Sequence, residues 1–301
     1  MKDIHTKYTK VFVCLAATTI GISSPVFASS AWVGNANYSQ APGADGTEST
    51  ANNFSQYDFG AGALLLKFTP STTGGVSGSF SGYYQTKIDD HTGAGGGLSL
   101  TDLKTNGAAG DGSGFELTLK ANYSGFYSKS TDDFGITTTS FSNITGDTNI
   151  YFDSTPDFNF AADTGFGSDT DVNVDTSILS ATINGGGGSF SNTFAVGGER
   201  LDLIISGEFD GYDKSVFEPD TINGGSVGFL LKLNMSENSI YNEIVNGNNT
   251  VMGQVYNAPN SDLLLEGNGL LELTAVPLPA SVWFLGSSLV GLISFAKRKK
   301  S

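Results

Sequence analysis

Among its 301 residues the chain has one cysteine, Cys14, and two histidines, His5 and His91. Cys14 lies within an N-terminal apolar run, Val11–Ile22. A chain cleaved behind that run keeps no thiol, which excludes disulfides, Cys-ligated zinc and a thiolate nucleophile. Val11-Phe12-Val13 also lack the small residue that a lipoprotein site needs before its cysteine. His91 then stands alone, and one histidine without cysteine cannot furnish a zinc site. A Ser-His-Asp triad would have to use it. Gly78-Ser79-Phe80-Ser81-Gly82 is not a nucleophile elbow, since it carries Phe at the centre. Within Asp89-Asp90-His91-Thr92-Gly93 it reads as a solvated turn residue. Positive charge is scarce too, with 15 Lys and Arg against 30 Asp and Glu. Taking away both ends removes Asp3 and seven basic residues, leaving 29 acidic and 8 basic and a net charge near −21. That field disfavours nucleic acid and anionic membranes as partners. Divalent cations, basic surfaces and uncharged polymers remain compatible with it.

The two ends carry targeting patterns. Lys2, Lys7 and Lys10 precede the apolar run, and Val26-Phe27-Ala28 follows it. This is the pattern of a secretory signal peptide over 1–28, cleaved between Ala28 and Ser29 by signal peptidase after passage through the Sec translocon. At the other end stand Val276, Pro277, Leu278, Pro279 and Ala280, then an apolar run, then Lys297, Arg298, Lys299 and Lys300. The prolines enforce an extended stretch. From Leu278 to Ala296 there are 19 residues without charge, at the lower edge of the roughly 17–25 that span a bilayer. The basic cluster halts translocation and holds the terminus on the cytoplasmic side. The expectation is a transmembrane sorting helix within a tail over 275–301.

Val276–Ala280, followed by the glycine-containing apolar run and the Lys/Arg end, resembles the PEP-CTERM sorting signal, and is similar to its VPLPA variant. Leu278 stands where the founding motif has Glu. The resemblance implies processing by an exosortase-type membrane protease in a Gram-negative bacterium that makes extracellular polysaccharide. The protein would be transiently anchored in the inner membrane and then reach the cell surface or matrix. A further resemblance joins Phe115–Thr118, Thr148–Ser154, Thr164-Gly165-Phe166, Ile178–Ile183 and Phe217-Glu218-Pro219 to PEP-CTERM proteins associated with flocculation. It implies a role in cell aggregation and carries over no catalytic residue.

Between the ends, 29–53 reads as a polar arm with at most one strand near Ala31–Tyr38, and 54–274 as one extracellular β domain. Short apolar or alternating runs recur there, separated by Gly, Asp and Asn. Phe115, Leu117 and Leu119 alternate with Glu116, Thr118 and Lys120. Gly185–Gly188 reads as a hairpin loop between Ile178–Asn184 and Ser189–Val196. Gly135–Ile144 and Thr148–Asp153 read as two strands, as do Leu98–Lys104 and Thr250–Tyr256 individually. The best helix candidate is Ser236–Val245. About a dozen strands predict an all-β antiparallel sandwich or jelly-roll-like fold.

Asp169, Asp171, Asn173 and Asp175 offer oxygens at every second position, a candidate for weak calcium binding. Val174 replaces the turn glycine of an EF-hand, and the same residues fit an edge strand with Val172 and Val174 inward. The pairs Asp89/Asp90 and Asp132/Asp133 are sequence neighbours whose side chains diverge, unlike the facing carboxyls of a glycosidase. Tyr83-Tyr84, Tyr123, Phe126-Tyr127, Tyr151-Phe152, Phe158 and Phe160 fit core packing better than sugar platforms. The expected function is non-enzymatic, without a cofactor other than calcium. It is that of a surface or matrix protein supporting biofilm or floc cohesion with exopolysaccharide or other surface proteins. The competing readings are a secreted carbohydrate-binding module and a secreted polysaccharide hydrolase.

Overall fold

The computed structural model describes residues 32–71, 74–93, 96–105, 114–133, 135–167, 177–193, 198–219, 221–222, 227–235, 239–257 and 262–275. Chain order is β1 (Gly34–Asn37), a short 3-10 turn (Tyr38–Gln40), β2 (Thr50–Pro70), β3 (Ser77–Gly93), β4 (Gly96–Gly97), β5 (Glu116–Thr131), β6 (Thr137–Asp153), β7 (Ser177–Thr193) and β8 (Gly198–Tyr212). There follow β9 (Phe217–Glu218), β10 (Val227–Met235), α1 (Ser239–Asn246), β11 (Thr250–Val251), β12 (Gln254–Val255) and β13 (Leu263–Ala275).

The all-β class is as expected, but the architecture is a barrel and not a sandwich. The antiparallel order runs β3-β5-β6-β7-β8-β10-β13-β2, and β2 pairs again with β3, closing an eight-stranded ring. Closure removes the two edges that a sandwich sheet would expose. At this strand number the lumen is just wide enough to be filled by side chains. Here aromatic rings fill much of it. Phe80 and Phe141 lie 4.9 Å apart, Phe115 and Phe152 5.3 Å, and Phe68 and Tyr127 5.0 Å between centroids. The Tyr123 ring lies over Gly82 on the neighbouring strand, where a Cβ would approach it to 2.3 Å. The glycine makes room for the ring, and the ring covers the glycine backbone.

Several expected strands are joined into longer ones. Gly135–Ile144 and Thr148–Asp153 are parts of β6, which passes a bulge with Asn143 at φ 53°. Gly185–Gly188 is not a hairpin loop: it lies within β7, paired to β6 and β8 on its two sides. A Cβ on Gly186 would come within 2.7 Å of the Ile204 carbonyl oxygen, so glycine there serves close strand approach across a register shift. Leu98–Lys104 forms no strand, and only Leu103 makes a β-type pairing, with Phe115. Thr250–Tyr256 is the small hairpin β11–β12, and α1 falls where the helix was expected. The polar arm is tied into the barrel: β1 pairs with the start of β2, and Trp32, Ala36 and Tyr38 join the main core.

Outward residues of the barrel differ by sector. On β5 to β8 they include Asn122, Ser124, Ser142, Thr182 and Glu208, all exposed. Inward are Leu119, Tyr123, Ile144, Ile183 and Leu203. This polar-out, apolar-in pattern is the reverse of the lipid-facing band of a membrane barrel. Over β2, β3 and β13 the outer face is instead covered. Phe158, Phe160 and Phe166 from the segment after β6, Ile240 and Ile244 from α1, and Val251 from β11 pack on Ala63, Leu65 and Leu264. Glu266 Oε2 accepts the Ile240 backbone N–H at 2.8 Å, so β13 caps the start of α1. No helix among the described residues is long and apolar enough to cross a membrane. The expected sorting helix lies outside the described residues.

Candidate functional site

The acidic centre of the fold arises from the alternation in β5. Phe115, Leu117 and Leu119 point into the lumen, which places Glu116 and Thr118 on the outer face. The chain leaving β6 folds back over that face, burying Glu116 completely and Thr118 almost so. Glu116 stands directly opposite Asp153 in the β5–β6 ladder. Like charges opposed in this way repel. Asp157, exposed on the returning segment, completes a trio whose carboxylate oxygens lie within 4.8 Å of one another.

The Asp157 and Phe158 backbone N–H groups donate to Glu116 Oε2 at 3.1 and 3.5 Å. Glu116 Oε1 is buried and has no hydrogen-bond partner. Thr118 Oγ1, next on the same face, is in the same state. Burial first, and then the Asp153 carboxylate, push the Glu116 carboxyl up to about 8. The Thr155 N–H donates to Asp153 Oδ1 at 2.7 Å and shapes the turn that brings Asp157 back. Lys87, opposite Thr118 on β3, is committed elsewhere: it pairs with Asp89 at 2.7 Å and donates to the Thr105 carbonyl. With Glu116 and Asp153 both buried, a sugar ring has no access between them, unlike the cleft of a glycosidase. A small hard cation or a proton is the size of guest that the trio fits.

The second polar centre is inside the barrel. His91 is fully buried, which corrects its reading as a solvated turn residue. Inward positions on β3 are even-numbered through Tyr84 and Ile88. Asp58 pairs with Asp90 and Phe59 with Ile88, so Asp89 is an extra residue in the ladder. That slip turns the next odd position, His91, inward. Its ring is surrounded by Phe54, Tyr57 and Tyr38 at 5.0–5.5 Å. Nε2 and the Tyr38 hydroxyl are 2.6 Å apart, the Tyr38 hydroxyl reaches that of Tyr57 at 3.4 Å, and Nδ1 has no partner. Burial holds the imidazole down to about 3, so it is neutral at ordinary pH. Sealed from substrate, this group ties the N-terminal Tyr38 turn to β3 and β2.

A third feature is an open groove of about 590 Å³ where β1 and β9 extend the sheet beyond β2. Asn35, Asn37, Thr50, Asn52, Lys214 and Glu218 contribute to its lining.

The residues singled out in the sequence have other places. Asp90 accepts the His91 backbone N–H, and Asp132 accepts that of Ile136 in the β5–β6 turn. Of the aromatic candidates, Tyr84, Tyr123, Tyr127, Phe152, Phe158 and Phe160 are buried, while Phe126 is exposed on β5. The calcium candidates Asp169, Asp171, Asn173 and Asp175 lie outside the described residues. So do the cleavage residues Ala28 and Ser29, the motif Val276, Pro277, Leu278, Pro279 and Ala280, and the basic cluster Lys297, Arg298, Lys299 and Lys300. The acidic trio escaped sequence reading because Glu116 is distant in the chain from Asp153 and Asp157. The one local signal was a Glu at an outward position of a clean alternation, opposite a strand ending in Asp. No family model matches the chain, and neither a curated protein nor a solved structure does.

Proposed function

We propose that the chain is an exported, non-enzymatic surface or matrix protein that supports cohesion of cells within extracellular polysaccharide. The observation that carries the reading is the tail: Val276–Ala280, an uncharged run and Lys297–Lys300 in that order, opposite an N-terminal signal pattern. Sec translocon, signal peptidase and an exosortase-type protease are the partners of delivery in this reading. The fold supports it in two ways. A closed barrel has no long free edge to aggregate with other sheets. Its core reaches burial without a disulfide, since the single cysteine is Cys14. Deleting the gene in the native host is expected to weaken cell–cell cohesion while export of other proteins continues. Normal aggregation of the deletion strain, together with polysaccharide hydrolysis by the purified protein, would replace this reading with that of an enzyme.

The groove beside β1 and β9 favours a second reading, a carbohydrate-binding module. Its amide and hydroxyl lining is the chemistry that hydrogen-bonds sugar hydroxyls. Binding on a glycan array without turnover would select it.

A further inference from the structure

Two buried oxygens on the outer face of β5 lack a donor, Glu116 Oε1 and Thr118 Oγ1. A buried polar atom in that state calls for a partner. Glu116 belongs to a trio of carboxylates whose oxygens lie within 4.8 Å of one another, two of them buried and one open to solvent through Asp157. We infer that Glu116, Asp153 and Asp157 form a calcium site that clamps the segment after β6 onto the barrel.

The donor set contains oxygen alone, which selects hard cations over zinc or copper. Calcium–oxygen distances of about 2.3–2.6 Å give a coordination sphere roughly 4.6–5.2 Å across, which spans the separation of the three oxygens. Magnesium, at about 2.0–2.1 Å and strictly octahedral, would need a tighter set. Glu116 is already fixed by the two backbone donors on Oε2, so the carboxylate is oriented before any ion arrives. The exposed Asp157 supplies the entry side. The inference rests on this geometry and stands or falls separately from the cohesion reading.

Isothermal titration of the purified full-length protein with calcium chloride, after chelator treatment, tests it. A saturable site is expected, with a rise in Tm of about 5 °C at saturating calcium. Asp157→Asn and Glu116→Gln should each weaken the affinity by roughly ten-fold or more, because affinity follows ligand charge. Asp133→Asn, on a turn outside the trio, should leave it unchanged. Should Glu116→Gln fail to fold, Asp157→Asn decides alone, since its side chain is exposed. Absence of saturable heat overturns the inference, as does an unchanged affinity in Asp157→Asn or an equal response to magnesium. Stabilisation by Glu116→Gln without any calcium response would show that Glu116 carries a proton instead.

Discussion

Leu64 and Leu65 are consecutive residues of β2 and both are fully buried, yet they belong to different cores. Leu64 points into the lumen among residues from the whole ring. Leu65 points out, under the layer made by Phe158–Phe166, α1 and β11. On β5 the outward neighbours Asn122, Ser124 and Phe126 have no such cover and face solvent. The lumen is enclosed by a hydrogen-bonded ring on every side. The outer layer rests on one side of that ring and is held to it by side-chain hydrogen bonds. Among them are Glu266 to Ile240, and Asp163 to Met252, Gly253 and Gln85. A closed ring relaxes poorly around a void, whereas a layer packed on one side of it can settle into one.

That contrast sets the largest expected effect. Leu64→Ala should destabilise the protein by about 3–5 kcal/mol, and Leu65→Ala by about 2–3 kcal/mol, because the cost depends on how far the site collapses. Urea unfolding of both variants measures the difference. Equal losses would mean that the outer layer is as rigid as the lumen.

The lumen also has a pH signature through His91. Its folded value of about 3 lies below the ordinary 6.5. Its contribution is therefore complete above pH 6.5 and is lost as the pH falls towards 3. The slope over that window approaches one proton, about 1.4 kcal/mol per pH unit. Comparing the acid limb of stability for the parent and His91→Gln isolates this part from the carboxylates. An identical limb in both would place His91 in contact with water.

The smallest effect concerns the outer layer. Glu266→Ala removes the acceptor at the start of α1 and should cost about 1 kcal/mol. Hydrogen exchange should quicken in Ser239–Asn246 and leave β5–β8 unchanged. Faster exchange in β5–β8 as well would show that the outer layer and the ring open as one unit.

The sequence by itself determined that this is a β protein with an aromatic core. The alternation of Phe115, Leu117 and Leu119 and the short helical window at Ser236–Val245 were local signals. Even the two-sided burial of β2 and β13 was written in the runs Ala63–Leu66 and Leu263–Leu265, where alternation gives way to continuous apolar residues. The acidic trio and the inward turn of His91 were not local signals. One needs a segment to fold back from β6 over β5, and the other depends on a single extra residue, Asp89, in the β2–β3 ladder. The barrel itself was decided only by tertiary structure. Closure rests on β2 pairing with β3 nearby and with β13 roughly 200 residues further along, and periodicity along one strand carries no information about which strands become neighbours.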